Sequence, residues 1–225
     1  MNYIKNHVYS LKLIAHNGSR FDLPALQKIL FKIVDPAKIS AIRKGCSFIS
    51  LTIENLCFLD SMHYVPSMSL AKFAKTFEVE ESKGIFPYEF FRSVKDIENC
   101  KEFPSIQAFF TSLTKRIDAE LVKAELDGLR SNFKSEEEIW AFFGYDFSEL
   151  ERVFVSPKSY FMAKTEYLEK VSAGEWFSML CVLKNYNLSD CRILYESMSN
   201  FIRMVKNAFN ADVLQHMTLP GLAEG

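Results

Sequence analysis

The chain has 225 residues, 48% of them hydrophobic and 24% charged, with eight Gly and seven Pro. Such a composition belongs to a globular chain long enough to bury a core, and it excludes disordered, collagen-like and linker-rich proteins. The net charge of −1 argues against holding duplex nucleic acid by counterion release alone, yet residues 1–60 carry eight Lys/Arg against four Asp/Glu and leave room for a local basic groove.

No apolar run approaches the ~20 residues that span a bilayer, and Met1-Asn2-Tyr3-Ile4-Lys5-Asn6-His7 lacks a signal-peptide layout. A soluble intracellular protein with no membrane partner is expected. The 21 Phe predict a phenylalanine-packed interior. Cys46, Cys57, Cys100, Cys181 and Cys191 form no C-x-x-C pair, so they read as buried free thiols.

Leu11 to Ala15 reads as a buried strand, followed by the turn-forming His16-Asn17-Gly18-Ser19-Arg20. A helix should follow, with Leu23, Leu26, Ile29, Leu30, Ile33 and Val34 at helical spacing, Pro24 in its first turn and Pro36 beyond its end. Cys46 to Ile53 and Leu56 to Leu59 are β-rich runs about Glu54-Asn55, which predicts a hairpin whose second strand finishes at Asp60. Ser69 opens a short amphipathic helix through Leu70, Phe73, Ala74 and Phe77.

The middle of the chain reads as helical. Ile106, Phe109, Phe110, Leu113, Ile117 and Leu121 predict one long helix from Pro104 to about Leu129, and Ser135-x-x-Glu138 is a capping-box signature for another. Further helices are expected at 158–171, 174–185 and 189–209, with a weakly ordered tail after Asn210. A small β-containing unit followed by a helical remainder gives an α/β or α+β domain.

Three constellations carry chemistry. In His16-Asn17-Gly18-Ser19-Arg20-Phe21-Asp22 a strand end delivers polar groups and a carboxylate to a helix start, although Asp22 could also serve simply as an N-cap. Tyr186-x-x-x-Asp190 puts a phenol and a carboxylate on one helix face, where both could meet a metal-bound water. Leu59-Asp60-Ser61-Met62 is a polar strand end, or a plain turn. The chain contains no G-x-S-x-G, H-E-x-x-H or G-x-x-x-x-G-K-[ST], and His7, His16, His63 and His216 never take a metal-ligand spacing.

Taken in order, these strings together with Lys83-Gly84-Ile85-Phe86-Pro87-Tyr88-Glu89 and Thr218-Leu219-Pro220-Gly221-Leu222-Ala223 resemble the exonuclease portion of protein-primed family B DNA polymerases, found in viruses, linear plasmids and self-synthesising DNA transposons. The likeness spans nearly the whole chain and is loosest over 92–180, where Phe103 to Phe109 is its best anchor.

The resemblance implies an α/β, ribonuclease-H-like 3′-to-5′ exonuclease fold with a large helical portion. It divides the chain into an exonuclease-like domain, 1–210, and the start of a polymerase palm, 211–225. Within the domain it implies a β-containing part (1–91), a mostly helical insert (92–185) and a third-motif helix (186–210). Catalytic roles map onto Asp22, Tyr186 and Asp190, with Asp22 and Asp190 holding Mg2+ or Mn2+; Asn17, Phe21 and Ser61 map onto contacts to the single-stranded 3′ end of DNA. The implied partners are that 3′ end, the rest of the polymerase and a terminal protein primer, in a nuclear, mitochondrial or viral setting.

Three features depart from the family. The first exonuclease motif, a D-x-E on a strand ahead of the H-N motif, has no counterpart, since no Asp or Glu precedes His16; Met62 stands where the family usually has Leu; and the palm motifs D-x-x-S-L-Y-P and D-T-D are absent. The expectation is a polymerase fragment, incomplete at its N-terminal strands and with an uncovered sheet edge near Leu11 to Ala15, that binds metal weakly and has little activity of its own. The alternative is a non-catalytic remnant that binds single-stranded DNA or a protein.

Overall fold

A computed structural model describes residues 11–65, 67–80, 84–112, 115–148 and 150–224. In chain order the elements are β1 (Leu11–Ala15), α1 (Asp22–Ile33), β2 (Ile39–Lys44), β3 (Ser47–Ile53), β4 (Leu56–Asp60) and α2 (Leu70–Thr76). There follow α3 (Val94–Asn99), α4 (Ala119–Leu129), α5 (Glu136–Phe143), α6 (Pro157–Ser172), α7 (Met179–Phe209) and α8 (Leu219–Glu224). The chain forms two units, one of residues 1–82 with 192–225 and one of residues 83–191. Among the described residues no helix is long and apolar enough to cross a membrane.

The first unit is built on one mixed sheet in the order β1-β4-β3-β2. β4 lies antiparallel to β3 and parallel to β1, with Ala15 opposite Asp60. The β3–β4 hairpin closes through Glu54 at φ 52, and Lys38, just ahead of β2, pairs with Glu54 at 2.7 Å. Alternation along the strands sends side chains to two cores. Leu51 and Ile53 pack with Leu23, Leu30 and Val34 of α1 and its exit on one face. Cys57 and Leu59 pack with Phe73 of α2 and with Ile193, Met198, Phe201 and Val205 of α7 on the other. Among the described residues β1 is the outermost strand on its side, and Leu11 and Leu13 are exposed.

The second unit is helical and aromatic. Phe103, Phe109, Phe143 and Phe147 pack with Tyr160 and Tyr167, both of which bury their rings and donate their hydroxyls to the carbonyls of Pro104 and Lys101. Ser135 caps α5 by accepting from Glu138 N–H at 3.3 Å, and Glu138 returns a bond to Lys134 N–H, one residue before the partner that a capping box would use. The Lys164 ammonium, half-buried over the Phe142 ring, donates to the Phe142 carbonyl, and burial lowers its pKa.

Several expectations change. Residues 104–129 do not form one helix: a 3₁₀ turn stands at Ile106–Phe109, residues 115–118 are not helical, and α4 starts anew where Asp118 caps it with bonds from Glu120 and Leu121 N–H; Leu113 lies outside the described residues. Helices 174–185 and 189–209 are one helix, α7, beginning at Met179 after the left-handed Gly174. A strand that periodicity did not signal, β2, pairs with β3 across Gly45-Cys46, so Cys46 is a turn residue. All five cysteines are free, but of them only Cys57 is buried. The tail is also held: Val213 is fully buried, and Tyr64 donates its hydroxyl to the His216 carbonyl at 2.7 Å.

Candidate functional site

The C-terminal ends of the parallel neighbours β1 and β4 lie side by side, which brings the His16–Asp22 loop against Asp60 and Ser61. Loops at the carboxyl ends of parallel strands are where α/β proteins place their ligands. Asp60 is 1% exposed. Its Oδ1 accepts from the N–H of Asn17 at 2.9 Å and of Met62 at 3.0 Å, and its Oδ2 accepts from Ser19 N–H at 2.9 Å.

His16 braces the same loop from below. Its Nε2 lies 2.9 Å from the Met68 carbonyl, an acceptor, so Nε2 carries the proton; Nδ1 then accepts from the Ser61 hydroxyl at 2.8 Å. The ring also stacks on Phe73 at 5.8 Å. Ser61, expected to touch a DNA strand, is wholly buried and spends its hydroxyl on His16.

Asn17 adopts φ 62, a left-handed conformation that Asn tolerates better than most residues. Gly18 follows for a steric reason, since a Cβ there would stand 2.5 Å from the Ala15 Cβ and 3.1 Å from Asp22 Oδ2. The missing side chain lets the turn fold back on β1 and brings the Asp22 carboxylate close. Asp22 is not the N-cap of α1: Phe21 holds that position and Asp22 is the first helical residue, exposed and favourably placed at the positive end of the helix. Phe21 is 64% exposed.

The second half of the expected site lies in the second unit. Tyr186 and Asp190 sit one turn apart on α7 and are hydrogen-bonded to one another. The Tyr186 hydroxyl donates to the Asp190 carboxylate and accepts from Tyr88, whose ring meets it edge-on at 5.6 Å. Burial, above all, pushes the Tyr186 phenol up to about 12, so at neutral pH it keeps its proton. Gly84 lies against this ring, where a Cβ would come to 3.4 Å of Cδ2. Lys83, which opens the same string, lies outside the described residues.

Asp22 and Asp190 therefore belong to different units, and their convergence stays an expectation. Among the described residues no group of three or more His, Cys, Asp or Glu is placed to hold a metal ion. The donors are of the right kind, since carboxylate oxygens suit Mg2+ or Mn2+. Among the described residues they form no such cluster, and Asp60, which ends β4 beside the loop, already serves three N–H groups. Sequence reading missed the roles of Asp60 and Tyr88. A lone acid ending an apolar strand, with an Asn-Gly loop elsewhere that needs an acceptor, is the signal that could have found Asp60.

Residues 4–137 match the family model of organellar and viral type B DNA polymerase, a span that contains the His16–Asp22 loop and Asp60-Ser61 and stops before Tyr186. A protein described as a probable DNA polymerase from Ascobolus immersus is 20% identical over 97% of this chain, which spans about 15% of that relative's length. No solved structure matches. A match over more than half of the chain, which takes in the loop at the ends of β1 and β4, establishes that this chain belongs to the organellar and viral type B DNA polymerases.

Proposed function

We propose that the chain is the 3′-to-5′ exonuclease portion of a protein-primed type B DNA polymerase, with a ribonuclease-H-like fold that receives a single-stranded 3′ end for proofreading. The observation that carries this reading is the loop at the ends of β1 and β4, where an exposed aromatic, Phe21, and an exposed carboxylate, Asp22, adjoin on a backbone fixed by Asp60. The mixed sheet with helices on both faces supports the fold assignment.

Phe21 offers a stacking face to a terminal base, and Asn17 offers amide donors and an acceptor to the strand. Ser61 contributes through His16, bracing the loop. Tyr186, protonated and aligned by Asp190 and Tyr88, can donate a hydrogen bond to a water or a phosphate oxygen. Asp22 and Asp190 would hold Mg2+ or Mn2+, and such ions, when bound, stabilise the attacking and leaving oxygens of phosphodiester cleavage. Two carboxylates hold them weakly, so the chain alone has slight activity. In the longer protein the partners would be the rest of the polymerase and a terminal protein primer.

A strand bearing D-x-E, fused ahead of β1, tests the reading. It should pair with the edge of β1, add the carboxylates and produce Mg2+- or Mn2+-dependent release of nucleotides from a 5′-labelled single-stranded oligonucleotide. D22A or D190A in that protein should abolish release. If the extended protein were soluble and folded yet released nothing, the exonuclease reading would fail. Retained binding of the oligonucleotide would then favour a non-catalytic binding remnant, a reading also supported by the lack of a three-acid cluster among the described residues.

A further inference from the structure

The buried Asp60 carboxylate is a charge without an ion-pair partner among the described residues. Removing a carboxylate from water is costly unless hydrogen bonds replace its hydration. One of its three bonds, from Met62 N–H, is a local turn bond that any Asp at this strand end could make. The other two come from Asn17 and Ser19, at sequence separations of 43 and 41, and they are not needed to close the turn. They join the strand end to the very loop that carries Asn17, Phe21 and Asp22.

The loop in turn has a need that Asp60 meets. Asn17 stands at a positive φ, which costs free energy for a residue with a Cβ and persists only where something holds it. Its N–H and that of Ser19 converge on opposite oxygens of one carboxylate, which defines the backbone on both sides of Gly18. We infer that Asp60 is the positioning residue of the strand-binding loop, acting through the Asn17 and Ser19 amides to aim the Asn17 side chain beside Phe21 and Asp22. The inference rests on the single-strand-binding reading above.

The test is a double-substitution cycle on the full chain, read as anisotropy of a short fluorescein-labelled oligo(dT) at low salt. N17G removes the side chain while keeping the N–H and a residue at ease with positive φ. D60N should weaken binding about tenfold, N17G should weaken it comparably, and D60N added to N17G should cost no more than about twofold further, because the group being aimed is already gone. A residue that merely supports the fold would weaken binding equally in both backgrounds, and that result would overturn the inference. So would D60N that binds like the parent while N17G and F21A are weakened, or N17G that binds like the parent while F21A is weakened.

If N17G and F21A both bind like the parent, the strand-binding reading falls and takes the inference with it. If D60N does not melt cooperatively, D60S replaces it, and the unaltered chain supplies a second readout. The Asn17 and Ser19 amides should exchange with deuterium at least about tenfold more slowly than the Gly18 amide between them, for which no acceptor is found among the described residues. Equal exchange at the three would overturn the inference.

Discussion

Gly18→Ala isolates the steric reason for the loop. Gly18 is buried, and its φ is not among the positive ones, so an alanine is not strained by its own backbone. The whole cost comes from the added Cβ, 2.5 Å from the Ala15 Cβ where carbon atoms rest at about 3.5–4.0 Å. Roughly an ångström of backbone movement at the end of β1 is required, and overpacking of this kind costs about 1–3 kcal/mol. The same Cβ would press on Asp22 Oδ2 from 3.1 Å, so the variant should also bind oligo(dT) less well. Both tryptophans, Trp140 and Trp176, lie in the second unit, so their fluorescence would miss the change. Denaturation followed by far-ultraviolet circular dichroism, with amide exchange in β1 and β4, is the appropriate assay. Ala15→Gly in the same chain should recover part of the loss, because it removes the nearer atom. Gly128→Ala is the control: it lies within α4, its Cβ meets nothing within 4 Å, and it should stabilise by up to about 1 kcal/mol. If Gly18→Ala unfolded within about 0.5 kcal/mol of the parent, or gained nothing from Ala15→Gly, the packing argument would be refuted.

Phe21→Ala should weaken oligo(dT) binding by about 1–3 kcal/mol while leaving the melting temperature nearly unchanged, since the ring is exposed; an unaltered Kd would show that no base stacks there. Tyr64 and Tyr186 are raised to about 12 by burial from an ordinary 10.0, so the unfolded chain gives up these protons first as pH rises. Their contribution is complete below pH 10 and is lost between 10 and about 12, which a denaturation series in alkaline buffers should record as falling stability; a flat profile would contradict their burial. No templated nucleotide addition is expected from this chain, because it holds neither D-x-x-S-L-Y-P nor D-T-D, and incorporation above a no-enzyme control in a primer-extension assay would disprove this.

Elements whose signals are local were legible in the sequence. β1, α1, the β3–β4 hairpin, α2 and α6 fall where apolar spacing and punctuation put them, because strand ends and caps such as Ser69 act within a few residues. What escaped depends on tertiary contacts. β2 carries Ser40, Arg43 and Lys44 along an exposed edge, so its pairing with β3 decides what its own pattern leaves open. Residues 104–129 repeat apolar positions at helical spacing, yet Phe109 and Ile106 are buried from a single 3₁₀ turn among the rings of the second unit. The tail was unreadable because long-range contacts fix it: Val213, Ala211 and Leu222 pack on the core that Phe73 and Phe201 share, and Tyr64 bonds to His216. In the site, Asn17, Phe21 and Asp22 stood out as a polar loop, whereas Asp60 looked like an ordinary turn acid because two of its partners lie far away in sequence.

The outer edge of β1 supplies a last prediction. Leu11 and Leu13 are 51% and 39% exposed on the outermost strand of that side among the described residues, and an apolar pocket of about 200 Å³ lies beside them, lined by Leu13, Leu23, Leu26, Phe58 and Asp22. A strand edge presents backbone N–H and C=O groups at regular spacing, and apolar side chains next to it make pairing with a second chain favourable. The isolated protein should therefore associate as its concentration rises, and association should cover the Asp22 rim. Leu13→Lys puts a charge where natural edge strands carry one, at a position whose partial exposure limits the lost burial to a small fraction of stability. Sedimentation velocity should show the parent shifting to larger species with concentration and Leu13→Lys remaining a monomer with a similar melting temperature. A covering strand fused ahead of β1 should suppress association in the same way, by pairing rather than by repulsion. If Leu13→Lys associated as readily as the parent, the edge would not be the surface responsible, and the exposed apolar residues of α1, Ile29 and Ile33 first among them, would become the place to look.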